Sequence, residues 1–217
     1  MALRAAALGL ALALGATGIA VAQGVPPPAP GRSAMPVRPL ADAELLEALR
    51  QGGLVLYIRH TATDFSRNDA KSRHAADCAN QRPLTDEGRA QARRISAALK
   101  QLDVPIARAL ASPLCRTVET GELVFAPLVQ GQIEPDVRAR GERSADGDDY
   151  AGLRAIFRQA LPPGGNLGIA SHGNPFVAIA GAPYLAEGEM AVVRPLGSDF
   201  EVIARIRHED WERLLKP

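Results

Sequence analysis

The sequence has few aromatic residues and almost no excess of charge. Phe, Trp and Tyr make up 4% of its 217 residues, and the formal net charge is +1. The shortage of aromatic rings provides no platform on which single-stranded nucleic acid could stack. A balanced charge argues against a general binder of nucleic acid or of anionic membranes, so any basic site has to be local. We therefore expect no nucleic acid partner.

The sequence also lacks the motifs of two common hydrolase classes. Its four histidines are scattered, with no H-x-H or H-E-x-x-H spacing, which argues against metal-assisted hydrolysis. A cysteine-dependent phosphatase would need an Arg six positions after its Cys. Leu84 stands at that distance from Cys78, and Gly121 stands at that distance from Cys115. Neither cysteine can serve as such a nucleophile.

Only the N-terminus carries a long apolar run. Arg4 precedes the apolar stretch 5–21, and Ala20-Val21-Ala22 has the small residues of a cleavage site, so we expect residues 1–22 to be a signal peptide. An uncleaved membrane anchor is the alternative, because the stretch is long enough to span a bilayer. After cleavage the protein is expected to be periplasmic or secreted. No later segment approaches the roughly 18 apolar residues needed for stable membrane insertion.

The expected export bears on the two cysteines. In an oxidising compartment an even number of cysteines favours a disulfide, here between Cys78 and Cys115. Such a bond would contribute roughly 3 to 4 kcal/mol by restricting the unfolded chain. Two free buried thiols are the alternative, and they are typical of a cytosolic protein.

The rest of the chain is long enough for one domain. Residues 23–39 are rich in proline, which predicts an extended linker, and residues 40–217 are expected to form the domain. Helices are predicted over 41–50, 85–102, 113–125, 150–161 and 175–180, strands over 54–58, 106–111, 129–133, 167–170, 189–194 and 200–206, and loops over 61–83 and 134–149. This alternation predicts a three-layer α/β/α sandwich, with a mostly parallel central sheet and an antiparallel edge.

Three of the predicted strands end in residues suited to an anion. Arg59-His60 follows the first strand, Arg116 lies in the first turn of the helix after the second, and Ser171-His172-Gly173 follows a later one. Open α/β sheets bind ligands outside the carboxyl ends of their strands, so we expect one crevice. Arginine forks and a helix N-terminus can hold a phosphoryl group. One neutral imidazole can attack phosphorus while the other, as imidazolium, stabilises the oxygens.

Each motif alone also fits a structural role, but the ordered set resembles the histidine phosphatase superfamily, also called phosphoglycerate mutase-like. The resemblance rests on Arg59-His60-Thr61, on residues 83–89 (PLTDEGR) and 112–120 (SPLCRTVET), and on Ser171-His172-Gly173. It implies a phosphohistidine intermediate on His60. It also implies that Arg59, Arg116 and His172 bind the phosphoryl group, without a metal or an organic cofactor. With the apolar N-terminus, it indicates an exported phosphatase branch.

The chain departs from the family pattern in two places. Thr61 replaces the usual Gly or Ala after the nucleophile, a small change. The general acid is less defined, because the position at which some members carry Asp is Asn174. The loop after the second strand-helix unit offers three carboxylates, of which alignment favours the last: Glu134, Asp136 and Glu142. Solvated loop charges are the alternative for all three, and an enzyme without the acid would be a slower phosphatase. The helix position of Glu119 suits orienting Arg116 better than protonating a leaving group.

We therefore predict an exported phosphomonoesterase that acts on a small phosphorylated substrate or a phosphorylated glycan. A phosphomutase of the same fold is the nearest alternative, although a mutase usually needs insertions that exclude water. A non-catalytic phosphate- or anion-binding envelope protein is the alternative from another class. The basic residues of loop 61–83 are either substrate contacts or, as the ordinary expectation, solvated surface charges: Arg67, Lys71, Arg73, His74 and Arg82.

Overall fold

The computed structural model describes residues 40–129, 133–140 and 150–216. The expected signal peptide and linker lie outside these residues, as does most of the predicted loop 134–149. No helix in the described part is long and apolar enough to cross a membrane.

Helices and strands alternate along most of the described chain. The helices are α1 (Asp42–Gln51), α2 (Asp86–Gln101), α3 (Cys115–Val124), α4 (Val137–Arg140), α5 (Ala151–Arg158), α6 (Gly173–Ala180) and α7 (Trp211–Leu214). The strands are β1 (Val55–Arg59), β2 (Ile106–Ala111), β3 (Glu134–Pro135), β4 (Asn166–Ser171), β5 (Met190–Pro195) and β6 (Phe200–Ile206). They form one sheet in the order β3-β2-β4-β1-β5-β6. The first four strands in this order are parallel to one another, and the hairpin β5–β6 adds the antiparallel edge.

The sheet is covered by helices on both faces. Alternate residues of β1 point to opposite sides: Leu56 and Ile58 pack with α1, α2, α3 and α7, whereas Val55 and Tyr57 pack with α4, α5 and α6. All four side chains are completely buried, as expected for a strand inside a parallel sheet. The predicted three-layer sandwich is confirmed.

The start of α2 packs against the segment that follows β1. Thr85 caps this helix, because its hydroxyl oxygen accepts a hydrogen bond of 3.0 Å from the Gly88 backbone N–H. A Cβ on Gly88 would lie only 2.1 Å from the carbonyl oxygen of Ala62. The glycine therefore allows the helix to approach the backbone two residues beyond His60.

Three predicted elements differ from the structure. The strand expected over 129–133 is absent at its two described residues, Val129 and Ile133, and the Val129 N–H donates to the Phe125 carbonyl and continues the turn after α3. Strand β3 comprises only Glu134–Pro135. The helix expected from residue 113 begins at Cys115, since Leu114 is still extended. Within the expected loop 134–149, residues 137–140 form α4.

The disulfide between Cys78 and Cys115 is present, with its Cα atoms 5.6 Å apart. It joins loop 61–83 to the first residue of α3, next to Arg116. The buried side chain of Gln81 strengthens this junction: its carbonyl oxygen accepts from the Cys115 N–H at 3.0 Å, and its amide donates to the Ala75 carbonyl at 2.7 Å. The long polar loop is thus fixed beside the strand ends.

Candidate active site

The sheet order brings the three sequence-predicted strand ends together. Strand β4 lies between β1 and β2, with Arg59 in register with Ser171 and Ala111 in register with Ala170. The residues that follow these strands therefore emerge at one edge of the sheet, where they surround a cavity of about 450 Å³. The described lining contains all four predicted core residues: Arg59, His60, Arg116 and His172.

His60 is held as a neutral imidazole with one free nitrogen. Its ring is 2% exposed, and Nδ1 lies 3.1 Å from the carbonyl oxygen of Thr61. A carbonyl can only accept, so Nδ1 carries the proton and Nε2 keeps its lone pair. Burial lowers the pKa of His60 to about 3, with smaller contributions from Arg116 and Arg59, although the bond to Thr61 opposes them. The ring is therefore in its nucleophilic form near neutral pH.

His172 lies beside His60. Its Nε2 is 2.9 Å from the Ser112 hydroxyl oxygen, and its ring centroid is 5.6 Å from that of His60 in an edge-on arrangement. Burial, followed by the influence of His60, lowers the pKa of His172 well below its ordinary value. The expected imidazolium is thus not the favoured form in the ligand-free site. A bound phosphoryl anion would favour protonation of this ring.

Arg59 and Arg116 both line the cavity, and different residues hold each of them in place. The Arg59 Nη1 donates to the Leu185 carbonyl oxygen at 2.8 Å, and its guanidinium lies 5.1 Å from the ring centre of Tyr184. The Arg116 Nη1 donates to both carboxylate oxygens of Asp69, at 3.1 and 2.9 Å. The Nε atoms of both arginines are buried and find no hydrogen-bond partner among the described residues. Buried donors of this kind fit an anionic ligand.

Two of the three carboxylates considered for the general acid, Glu134 and Asp136, do not line the cavity. Glu134 binds Arg108 on the surface, and Asp136 binds Arg138 at 2.6 Å, so both are ordinary loop charges. Glu142 lies outside the described residues, and its assignment remains a prediction. Asn174 does line the cavity, where its amide can donate a hydrogen bond but cannot serve as an acid.

Glu119 does not orient Arg116, contrary to the sequence-based expectation. Its carboxylate accepts from Nε of Arg89 at 2.6 Å and from Nη2 of the same residue at 3.4 Å. The Arg116 side chain turns instead into the cavity, where it is 8% exposed and meets Asp69. The spacing of Arg116 and Glu119 along α3 did not reveal that Arg89 of α2 lies close enough to bind the Glu119 carboxylate.

The sequence analysis missed Glu187, which lies in the loop before β5. One of its oxygens, Oε1, is 3.5 Å from Nη2 of Arg59 and 3.7 Å from Nδ1 of His60. The same oxygen accepts from the Thr63 hydroxyl at 2.6 Å. In sequence this residue resembles any loop carboxylate. The available signal was topological, because an antiparallel β5 paired with β1 must begin at the end where β1 finishes.

Two residues that follow the nucleophile have separate roles. Thr63 is buried and fixes Glu187. Asp64 accepts hydrogen bonds from the N–H and the hydroxyl of Ser66, at 2.9 and 2.7 Å. Asp64 therefore caps the loop, and neither residue is among those that line the described cavity.

The basic residues of loop 61–83 are not all solvated. Arg82 lines the cavity, and its buried Nε has no partner among the described residues. Arg73 and His74 line a neighbouring cavity of about 270 Å³, which shares Leu114 and Arg140 with the first. The expectation of a simple surface run is therefore wrong for Arg82, because the loop folds back over α3.

The described residues contain no group of three His, Cys, Asp or Glu side chains arranged to hold a metal ion. The cationic lining itself matches the chemistry of an anion site. What it can do chemically is bind a phosphoryl group beside a neutral imidazole whose Nε2 is free.

Comparison with known proteins agrees with this geometry. Residues 55–155 match the model of the histidine phosphatase superfamily (branch 1). The fold is similar to the solved structure of the protein histidine phosphatase SixA complexed with tungstate, with a TM-score of 0.52 and 23% identity over 72% of this chain and 98% of that one. A phosphoglycerate mutase from Bacillus anthracis str. Sterne has a TM-score of 0.49 and 13% identity over 77% and 99% of the two chains. No curated protein matches significantly.

Proposed function

We propose that the chain is a member of the histidine phosphatase superfamily, whose model matches residues 55–155, and that it is a phosphomonoesterase that works through a phosphohistidine intermediate on His60. The observation that carries this proposal is the state of His60. The ring is buried and neutral, its Nδ1 proton is bound by the Thr61 carbonyl, and it lines a cavity with Arg59 and Arg116.

The proposed reaction has two steps. In the first, Nε2 of His60 attacks phosphorus in line, the Nε2–P bond forms, and the bond from phosphorus to the leaving oxygen breaks. Arg59, Arg116 and His172 stabilise the charge on the equatorial oxygens, while Glu142 is proposed to protonate the leaving oxygen. In the second step, water attacks phosphorus, the Nε2–P bond breaks, and inorganic phosphate is released.

Two alternatives within reach of this geometry are less well supported. A protein that only binds phosphate has no use for a histidine whose tautomer leaves Nε2 free inside the anion site. A phosphomutase must retain its phosphorylated donor and exclude water, which usually requires insertions that close the site, whereas hydrolysis requires none. Hydrolysis is therefore the proposed outcome.

The proposed substrate is a small phosphorylated molecule, with phosphorylated glycans included. The cavity continues beyond the four core residues, where guanidinium groups and tyrosine rings line it: Arg82, Arg140, Tyr150 and Tyr184. These groups suit a polar substrate that carries hydroxyl groups or a second negative charge. The cavity itself does not select among the members of this class.

Export and independence from metals are part of the same proposal. Residues 1–22 are proposed to be a cleaved signal peptide, and the Cys78–Cys115 disulfide is consistent with an oxidising compartment. Mass spectrometry of protein purified from the producing cell would show a mature N-terminus at Gln23. Turnover in the presence of a chelator would show that no metal is needed.

The decisive experiment combines a phosphate-release panel with trapping of the intermediate. Native protein should release phosphate and form a phosphoenzyme that is labile in acid and stable in alkali. His60→Ala should abolish both, whereas His208→Ala, which changes a partly exposed ring that contacts Gln91, should retain both. Tight phosphate binding without turnover of any ester would favour the binding-protein alternative.

A further inference from the structure

A carboxylate lies behind the nucleophilic ring. Oε1 of Glu187 is 3.7 Å from Nδ1 of His60, the nitrogen that keeps its proton, and 3.5 Å from Nη2 of Arg59. The Glu187 side chain is 17% exposed, so its charge is only partly screened by water. No other described carboxylate forms an ion pair with either of these two residues.

We propose that Glu187 is a positioning residue whose charge stabilises the cationic form of phosphorylated His60. The inference rests on the proposed function, because it concerns the phosphohistidine intermediate of that reaction. It assigns a role to a residue that touches neither the phosphoryl group nor the leaving group.

The charge balance of the first step requires such a group. Neutral His60 attacks through Nε2 while its proton stays on Nδ1, so the ring becomes positive when the Nε2–P bond forms. The bond to the leaving oxygen breaks with its electron pair, and that oxygen is protonated separately. The new positive charge develops in a buried ring that shares its cavity with the guanidinium groups of Arg59 and Arg116. A nearby anion offsets this unfavourable arrangement.

The position of Glu187 excludes the role of general acid. In an in-line displacement the leaving oxygen departs on the side of phosphorus opposite Nε2. Glu187 faces Nδ1, on the far side of the ring from the phosphoryl group. Its charge can act on the ring and on Arg59 but cannot reach the departing oxygen.

The carboxylate is fixed before substrate arrives. The Thr63 hydroxyl and N–H donate to its two oxygens at 2.6 and 3.3 Å. The next residue, Gly188, donates its N–H to the backbone carbonyls of Arg59 and His60, at 3.2 and 3.1 Å. A charge held in this way costs no reorganisation when the ring becomes positive.

The test uses Glu187→Gln, which keeps the shape and an acceptor for Thr63 but removes the charge. In single-turnover experiments with 4-nitrophenyl phosphate, we expect the rate of phosphoenzyme formation to fall about 10- to 100-fold. The inhibition constant of inorganic phosphate should stay constant or fall, because Arg59 loses a competing anion. Slower chemistry together with equal or tighter phosphate binding is the signature that a collapsed site would not give.

Three variants serve as controls. Glu201→Gln removes a carboxylate that pairs with Arg194 in the β5–β6 hairpin and should leave every rate unchanged. Glu187→Asp keeps the charge and should recover part of the lost rate. Thr63→Val removes the hydroxyl anchor but not the charge, so it should slow the reaction less than Glu187→Gln.

Each remaining outcome has a definite meaning. Equal phosphorylation rates in native protein and Glu187→Gln would overturn the inference while leaving the proposed function intact. A parallel loss of rate and of phosphate affinity would show a merely structural role and would also overturn it. If native protein forms no phosphoenzyme, the proposed function fails, and the role of Glu187 fails with it.

Discussion

The carboxylate of Asp69, which lies in loop 61–83, forms an ion pair with the guanidinium of Arg116. One nitrogen, Nη1, donates to both oxygens, and the N–H of Arg82 donates to Oδ1 at 2.8 Å. Partial burial alone would raise the pKa of Asp69, but the Arg82 N–H and the Arg116 guanidinium hold it below its ordinary value. Asp69 is therefore an anion that competes with phosphate for Arg116.

Replacing Asp69 with Asn should strengthen the binding of inorganic phosphate. The amide oxygen can still accept from the Arg82 N–H, but the competing charge is gone, so we expect the inhibition constant of phosphate to fall about three- to tenfold. Inhibition of ester hydrolysis by phosphate measures this. Asp64→Asn, in the same loop but bound by Ser66 rather than by Arg116, is the matched control. Weaker phosphate binding in Asp69→Asn would mean that the carboxylate mainly positions Arg116.

The acid limb of the rate profile should lie far below the ordinary pKa of histidine. The sequence alone places this limb near neutral pH or somewhat below, whereas burial lowers the pKa of His60 to about 3. Protonation removes the attacking lone pair, so kcat/KM should fall only as the pH approaches that value. The measurement is kcat/KM corrected for the fraction of dianionic substrate, since phosphate esters ionise near pH ~6. A limb near pH ~6.5 that persists after this correction would contradict the burial effect.

Stability should decline as the pH falls below the ordinary pKa of histidine. The pKa values of His60 and His172 are lower in the folded protein than in the unfolded chain, which therefore binds more protons in this range. Their contribution is complete above pH ~6.5 and is lost as the pH falls towards the folded values. Urea unfolding at about pH 7.5 and about pH 5 measures it. His60→Ala should lose less stability between these values than native protein, and an equal loss would argue against a buried neutral His60.

Removal of the disulfide should affect both stability and the site. Cys78 and Cys115 are 37 residues apart, so the double substitution to Ser should lower the free energy of unfolding by roughly 3 to 4 kcal/mol. The loop that carries Asp69 and Arg82 loses its attachment beside Arg116, and KM should therefore rise more than kcat falls. Denaturation and steady-state kinetics measure the two effects. Unchanged kinetics would show that Gln81 alone holds the loop.

The role of Glu142 can be tested through the leaving group. If this residue donates the proton, Glu142→Gln should slow the hydrolysis of alkyl phosphates about 100-fold or more. Hydrolysis of 4-nitrophenyl phosphate, whose leaving group needs no proton, should change much less. The matched control is Glu134→Gln, which alters only a surface pair with Arg108. Equal rates for Glu142→Gln and native protein on alkyl esters would leave the acid to another group.

The sequence predicted the sheet and the four core residues because both follow from local patterns. Apolar runs such as 54–58 identify buried strands, and Arg59-His60 stands at the end of one of them. The rule that parallel strands bind ligands at their carboxyl ends then placed Arg116 and His172 in the same crevice. The error at the start of 129–133 arose because Val129 continues a helical turn rather than pairing with β2.

The partners of the core residues could not be predicted in the same way. Asp69 lies 47 residues from Arg116 in sequence, and Glu187 reaches His60 only because β5 pairs with β1. Such contacts depend on the path of loops and on the edge at which an antiparallel strand joins the sheet. Glu119 shows the same limit, since a neighbouring helix supplied Arg89 as its partner.

The position of β4 between β1 and β2 has a consequence for folding while the chain is being made on the ribosome. The matched segment 55–155 contains His60 and both arginines, yet β4, which separates β1 from β2, begins only at Asn166. A ribosome-bound fragment that ends before that strand would have nothing to hold its first and second strands at their final spacing. Truncated chains should therefore be inert, and the proposed active site would be complete only after β4 and His172 have been made.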